Sequence, residues 1–152
     1  MIETASRGAS LLDETEPRVG RALSGFGVAE RRPRVLVVDR EEFVRRRARR
    51  VLRRAGYHVL DTDDPSSALR IVEELGEDLD LLVMEGGQEG PTHRDVLPRA
   101  RRLRPGLRIL LTWDRAAHGW DGLPEGGCPV LRKPFGPSQL LEAVVRALSG
   151  PE

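Results

Sequence analysis

The 152-residue sequence predicts an open, doubly wound α/β domain, and three observations predict it. Five short apolar runs, several rich in branched residues, recur along the chain; amphipathic segments separate them; acids, a hydroxyl and a lysine stand where the runs end. Parallel strands covered on both faces read as near-continuous apolar runs, and strand alternating with helix is what crossover connections between such strands require.

The strand runs are Val35 to Val38, Tyr57 to Leu60, Leu79 to Met84, Ile109 to Leu111, and Val130-Leu131. Between the first two, Val44, Ala48, Val51, Leu52 and Ala55 share one helical face while arginines occupy the rest. Asp64-Pro65 reads as an N-cap and first-turn pair, opening a helix whose apolar side is Ala68, Leu69, Ile71, Val72 and Leu75. In the third helix, Thr92 and Asp95 have capping-box spacing, but a start there would put Pro98 in the interior, where it removes a hydrogen bond; a start at Asp95 is therefore expected. The segment 114–123 contains Gly119 and Gly122, with Pro124 just beyond, so the fourth helix is expected to be weak or missing. Gly136-Pro137 opens the last helix, with Leu140, Leu141, Val144, Val145 and Leu148 inward and Gly150 as its stop.

Residues 1–32 mix Gly, Ser, Ala and charges of both signs with thinly scattered apolar residues and read as a flexible N-terminal tail, leaving residues 33–150 as the domain. A short docking helix around Glu16 to Leu23 is the alternative for the tail. A formal net charge of +1 gives no global drive toward nucleic acid or membrane, and no apolar run has transmembrane length. The single cysteine, Cys128, excludes an internal disulfide framework and suits a reducing compartment, so a cytoplasmic location is expected.

In an open α/β sheet, ligands gather beyond the carboxyl ends of the strands. There the sequence places Asp39-Arg40-Glu41 after strand one, Glu85 at the end of strand three, Thr112 at the end of strand four and Lys133 after strand five. Lys133 is the only lysine in a chain that otherwise uses arginine, and a compact ammonium on a flexible stem suits a pocket that reads a small anion. The plainer reading is genomic bias toward arginine with one surviving lysine.

With these residues in place, the chain resembles the receiver domain of bacterial two-component response regulators. The matching segments are VLVVDREEF (35–43), AGYHVL (55–60), DLLVME (80–85), RILLTW (108–113) and VLRKPF (130–135), in the family's order. The resemblance implies a five-stranded sheet of flavodoxin-like order 2-1-3-4-5. It also implies a phosphoryl-accepting aspartate at the third strand, metal-binding acids after the first, and a hydroxyl and a lysine that contact the phosphoryl group. Metal, lysine and hydroxyl would neutralise charge on the moving oxygens. Carried over by position, these roles fall to Asp39, Thr112 and Lys133, and a cis peptide is implied between Lys133 and Pro134.

Two positions depart from the family. Glu85 stands at the acceptor position, where an added methylene shifts the carboxylate by roughly 1 to 1.5 Å, a displacement that can cost on the order of a hundredfold in catalysis. Arg40 stands at a metal-binding acid. The charges of Asp39, Glu85, Arg40 and Lys133 sum to zero, and Mg²⁺ about 5 Å from a guanidinium costs roughly 6 to 7 kcal/mol at an effective dielectric near 20. The expectation is that Mg²⁺ binding is lost, with no cofactor, and that Arg40 pairs with Glu85. Glu85 then either mimics the phosphorylated state, is an inert structural acid, or still accepts a phosphoryl group. Val130, three residues before Lys133, replaces an aromatic that many receivers swing inward on activation.

Arg45, Arg46, Arg47, Arg49, Arg50, Arg53 and Arg54 make the first helix basic, a pattern that fits either a solvated face or a polyanion site. No glycine-rich phosphate loop follows strand one, and His58, His93 and His118 lack metal-ligand spacing. The expectation is a stand-alone, atypical receiver, not an enzyme. It would bind a signalling protein such as a histidine kinase, a regulator or a scaffold, with no membrane contact and nucleic acid disfavoured. A working phosphoacceptor fed by a histidine kinase and a polyanion binder acting through the first helix are the alternatives.

Overall fold

The computed structural model describes residues 31–86, 93–114 and 128–150. Five strands, β1 (Arg34–Val38), β2 (His58–Thr62), β3 (Leu81–Gly86), β4 (Arg108–Asp114) and β5 (Val130–Lys133), form one sheet of order β2-β1-β3-β4-β5. Every neighbouring pair is parallel. The helices are α1 (Glu42–Arg54), α2 (Pro65–Leu75), α3 (His93–Leu103) and α4 (Pro137–Ser149), with a 3-10 turn over Gly76–Asp78. This is the doubly wound architecture and strand order expected from the sequence.

Alternation along the strands divides the core in two. Leu36, Val38, Leu82, Met84, Ile109 and Leu111 face α2 and α3, whereas Val35, Val37, Leu81, Val83, Leu110 and Val59 face α1 and α4. Burial on both faces is why these runs lack the polar alternation of a half-exposed sheet. The helices supply the covers: Ala48 and Leu52 from α1, Ala68, Ile71 and Val72 from α2, Val96, Leu97 and Ala100 from α3, Leu140 and Val144 from α4.

The helix ends follow local chemistry. Asp64 caps α2 by accepting from the Ser66 and Ser67 N–H groups, ahead of Pro65. Gly136 precedes α4, and its N–H donates to Gln139 Oε1 at 2.8 Å. Past α1 the chain turns at Gly56, whose φ of 101° is a conformation that glycine adopts without a Cβ clash.

Two expectations need correction. Helix α3 begins at His93, not Asp95, so Pro98 lies inside it. Pro98 is on the exposed face, where water can satisfy the carbonyl one turn back, while buried Val96, Leu97 and Ala100 fasten the helix to the sheet. Packing outweighs the lost bond. In α4, Val145 is half exposed rather than inward, because Leu140 and Val144 define the buried line and Val145 falls at its margin.

The expected fourth helix over 114–123 falls, apart from Asp114 in β4, outside the described residues, as do residues 1–30 of the tail. Arg31 is described and grips the domain. It forms a bidentate pair with Asp80 and donates to the Glu77 and Asp78 carbonyls. Asp80 also accepts from the Arg34 N–H at 2.8 Å, so contacts with the domain begin ahead of Pro33.

Leu110 is 1% exposed between α1 and α4, and Leu110→Ala is expected to lower stability by about 2 to 5 kcal/mol. Asp64→Ala removes a cap and should cost about 1 kcal/mol. Urea unfolding followed by far-ultraviolet circular dichroism gives both values, and equal losses for the two variants would contradict this division between core and cap.

Candidate functional site

The strand alternation that builds the core also aims the polar residues. Val35, Val37 and then Asp39 follow one side of the first strand, and Leu81, Val83 and Glu85 do so along β3; Leu110 leads to Thr112 in β4, and Leu131 to Lys133 in β5. All four polar residues therefore continue the row that faces α1 and α4, just past the apolar layer. Register brings Glu85 directly beside Thr112, with Asp39 one step beyond Val38, the partner of Met84.

Lys133 joins this group. Its Nζ lies 2.7 Å from Asp39 Oδ2 and 3.0 Å from Glu85 Oε2. Asp39, Glu85 and Thr112 are buried, and the Lys133 side chain is 9% exposed. Remaining acceptor capacity is used locally: the Glu41 N–H donates to Asp39 Oδ1 at 2.9 Å, and the Arg40 N–H donates to Glu85 Oε1 at 3.1 Å. The Lys133–Pro134 peptide is cis, as the resemblance implied.

Burial alone would lower the Lys133 pKa, but hydrogen bonds and charge from Asp39 and then Glu85 outweigh it and hold the ammonium above its usual 10.5. Asp39 is pushed above its usual 3.8, chiefly by burial and also by the charge of Glu85; Lys133 and the Glu41 N–H oppose the rise without cancelling it. The cluster carries one fixed cation between two acids withdrawn from water.

Arg40 contacts Glu85 through its backbone. The residue is exposed at the rim, and it meets Glu85 through its main-chain N–H, while the Lys133 ammonium sits between the carboxylates. Among the described residues no three His, Cys, Asp or Glu side chains cluster in a manner able to hold a metal ion.

The support beneath Asp39 went unread in the sequence. Arg45 Nη1 donates to the Asp39 carbonyl at 2.9 Å while its Nε donates to Asp61 Oδ2 at 3.0 Å, and Arg49 Nη1 donates to Asp61 Oδ1 at 2.7 Å. Arg53 Nη2 donates to the Val59 carbonyl. Three of the seven α1 arginines thus tie the helix to β2 and to the loop carrying Asp39. The available signal was spacing, since 45, 49 and 53 are four apart and share a helix face opposite Asp61 on the α1 side of β2.

Other described residues lie apart from the cluster. Val130 packs against the core on the α2 and α3 side. Trp113 lies under the Arg132 guanidinium, 5.3 Å from its ring centre, whereas Trp120 is outside the described residues. Cys128 is buried, with Arg101 Nη2 3.0 Å from its Sγ, and His58 Nε2 lies 2.7 Å from Arg32 Nη2. His118 lies outside the described residues. No helix among the described residues is long and apolar enough to cross a membrane.

Solved structures similar to this chain are all of one kind. The receiver domain of the hybrid histidine kinase CckA superposes with a TM-score of 0.66 at 31% identity, covering 76% of this chain and 99% of that one. A response regulator receiver protein from Sinorhizobium medicae WSM419 gives 0.66 at 26% identity, covering 80% and 98%. The chemotaxis protein CheY4 of Vibrio cholerae, at 24% identity and a TM-score of 0.65, covers 77% and 99% and shares the fold. No protein-family model and no curated protein sequence matches the chain.

Lys133→Met leaves two buried carboxylates without their cation and is expected to cost about 3 to 5 kcal/mol at neutral pH, with part of the loss recovered on acidification as one acid takes up a proton. In the wild type, the raised Lys133 pKa means that its contribution is complete below 10.5 and is lost as pH rises through the higher folded value. The raised Asp39 pKa likewise makes stability fall as pH rises from 3.8 through its folded value. Urea titrations of both proteins across pH test this: the alkaline loss should be absent from the variant.

Proposed function

The chain belongs to the receiver-domain family of two-component response regulators, and from that premise we propose that it is a pseudo-receiver, acting by protein–protein interaction without a phosphorylation cycle. The observation that carries this reading is the double salt bridge of Lys133, which occupies one oxygen of each acid where a divalent cation would coordinate. One oxygen of each acid is taken by the ammonium and the other accepts a backbone N–H, so the donor set does not fit Mg²⁺ as it stands. Magnesium favours octahedral oxygen ligation and is usually held by carboxylates together with water, and here Arg40 replaces one acid.

Glu85 in this reading is a structural acid rather than an acceptor. Its carboxylate is held from two sides in the resting pocket, and a phosphoryl group arriving there would have to displace Lys133 from one oxygen with no metal to offset the added charge. The pocket then fixes one conformation of the edge formed by the Asp39 loop and the β5–α4 turn, and partners such as a histidine kinase, a regulator or a scaffold read that edge. The polyanion reading loses ground because Arg45, Arg49 and Arg53 are engaged within the fold.

Titrating Mg²⁺ and then acetyl phosphate, while following Trp fluorescence and intact mass, tests the reading. The wild type is expected to show neither a saturable response nor a phosphate-sized mass gain. Arg40→Asp combined with Glu85→Asp rebuilds three carboxylates and is expected to gain Mg²⁺ binding. A wild-type mass gain on Glu85 would overturn the proposal.

A further inference from the structure

At the end of the sheet opposite the charged cluster, a cavity of about 440 Å³ opens where the neighbouring strands β1, β3 and β4 begin. Its lining includes Arg31, Asp80, Arg104, Gly106, Arg108 and Leu148. Three guanidiniums and one carboxylate give that lining a formal charge of +2. Like charges gathered around a hollow repel one another, so folding alone does not account for the arrangement.

Each arginine is held in a different way. Arg31 forms its bidentate pair with Asp80, and Arg108 Nη1 donates to the Ala147 and Gly150 carbonyls at the end of α4. Arg104 donates from Nε to the Gly76 carbonyl at 2.9 Å and from Nη2 to the Leu79 carbonyl at 3.1 Å. Carbonyls satisfy donors without cancelling charge, and no carboxylate pairs with Arg104 among the described residues. The carboxyl end of α4 adds a partial negative charge of roughly half a unit, which is less than the surplus. Glu77 and Asp78, whose carbonyls accept from Arg31, are exposed and lie outside the lining.

Gly106 sets the place of the remaining Arg104 nitrogen. A Cβ at this position would lie 2.7 Å from Nη1, so glycine lets the guanidinium lie close against the loop before β4. Two carbonyls and this close approach fix the planar fork before any ligand arrives, which lowers the cost of binding.

We propose that this cavity binds the phosphate group of a small soluble ligand, with Arg104 and Arg108 meeting its oxygens and the Arg31–Asp80 pair forming the wall beside β1. Guanidinium forks match phosphate geometry, and a dianion balances the surplus charge of the lining. The ligand links the start of β1, the connection before β4 and the end of α4. All three are remote from Glu85 and Lys133, so the site operates whether or not the other end of the sheet takes up a phosphoryl group.

The probe is inorganic phosphate, titrated into the full chain against sodium chloride of matched ionic strength while amide shifts are followed by nuclear magnetic resonance. Saturable shifts are expected at Asp80, Gly106 and Leu107, with none at Glu85 or Lys133. Arg104→Gln should weaken binding by about tenfold or more, as loss of a hydrogen bond from a charged donor does. Gly106→Ala keeps every charge and only displaces the Arg104 guanidinium, so it should weaken binding by about three- to tenfold with the circular dichroism spectrum unchanged; it decides the matter alone if Arg104→Gln fails to fold. Phosphate stabilises folded chains generally, so urea midpoints are compared between proteins, and the phosphate-induced rise is expected to be larger in the wild type than in Gly106→Ala. Shifts that do not saturate, shifts centred on Lys133, or binding that survives either substitution overturn the proposal. Tighter binding to phosphatidic acid vesicles than to the soluble ion at equal phosphate does so as well.

Discussion

An ammonium held between two buried carboxylates sets the terms for everything around it. Lys133 comes from the last strand, Asp39 from the turn after the first and Glu85 from the end of the third, so one cation ties together segments far apart in sequence. Taking such charges out of water is costly, and their mutual attraction offsets the cost only when geometry and further hydrogen bonds are good. That condition explains the surrounding details: the Glu41 and Arg40 N–H groups each occupy a remaining acid oxygen, and Arg45 pins the Asp39 carbonyl. The cluster specifies where the strand ends must sit more than it adds stability.

The same cluster shows how the frame of a family site accepts exchanged residues. Family members gather these positions to neutralise a transferred group. Here the positions remain gathered around Lys133, with Glu85 and Arg40 as the exchanged residues. The Arg40 N–H donates to Glu85 while the residue itself is exposed. Retention of the fold and of four polar residues at one edge is therefore compatible with a different role for that edge.

Much of this was legible in the residues. The apolar runs located the strands because both faces of the sheet are covered, and Asp64-Pro65 and Gly136-Pro137 marked helix starts through local chemistry. The convergence of Asp39, Glu85, Thr112 and Lys133 followed from strand ends in a parallel sheet. What the sequence did not disclose were outcomes of competition among long-range contacts. Pro98 sits inside a helix because three buried neighbours hold that helix down, and Val145 is turned outward by the line that Leu140 and Val144 choose. The engagement of Arg45 and Arg49 with β2 was hidden for a related reason, since seven like residues look alike until Asp61 claims two of them.

That claim bears on how the sheet guards its border. Among the described residues strand β2 has a neighbour only in β1, so a single ladder holds its register. A slip of one residue would turn Asp61 from the α1 side to the opposite side, carrying a carboxylate into the leucine and isoleucine layer under α2 and stranding Arg45 and Arg49. Asp61 thus works as an index pin. The border strand has one register at which its charge is matched, and a strand fixed in register and tied to a helix is a poor template for pairing with another chain.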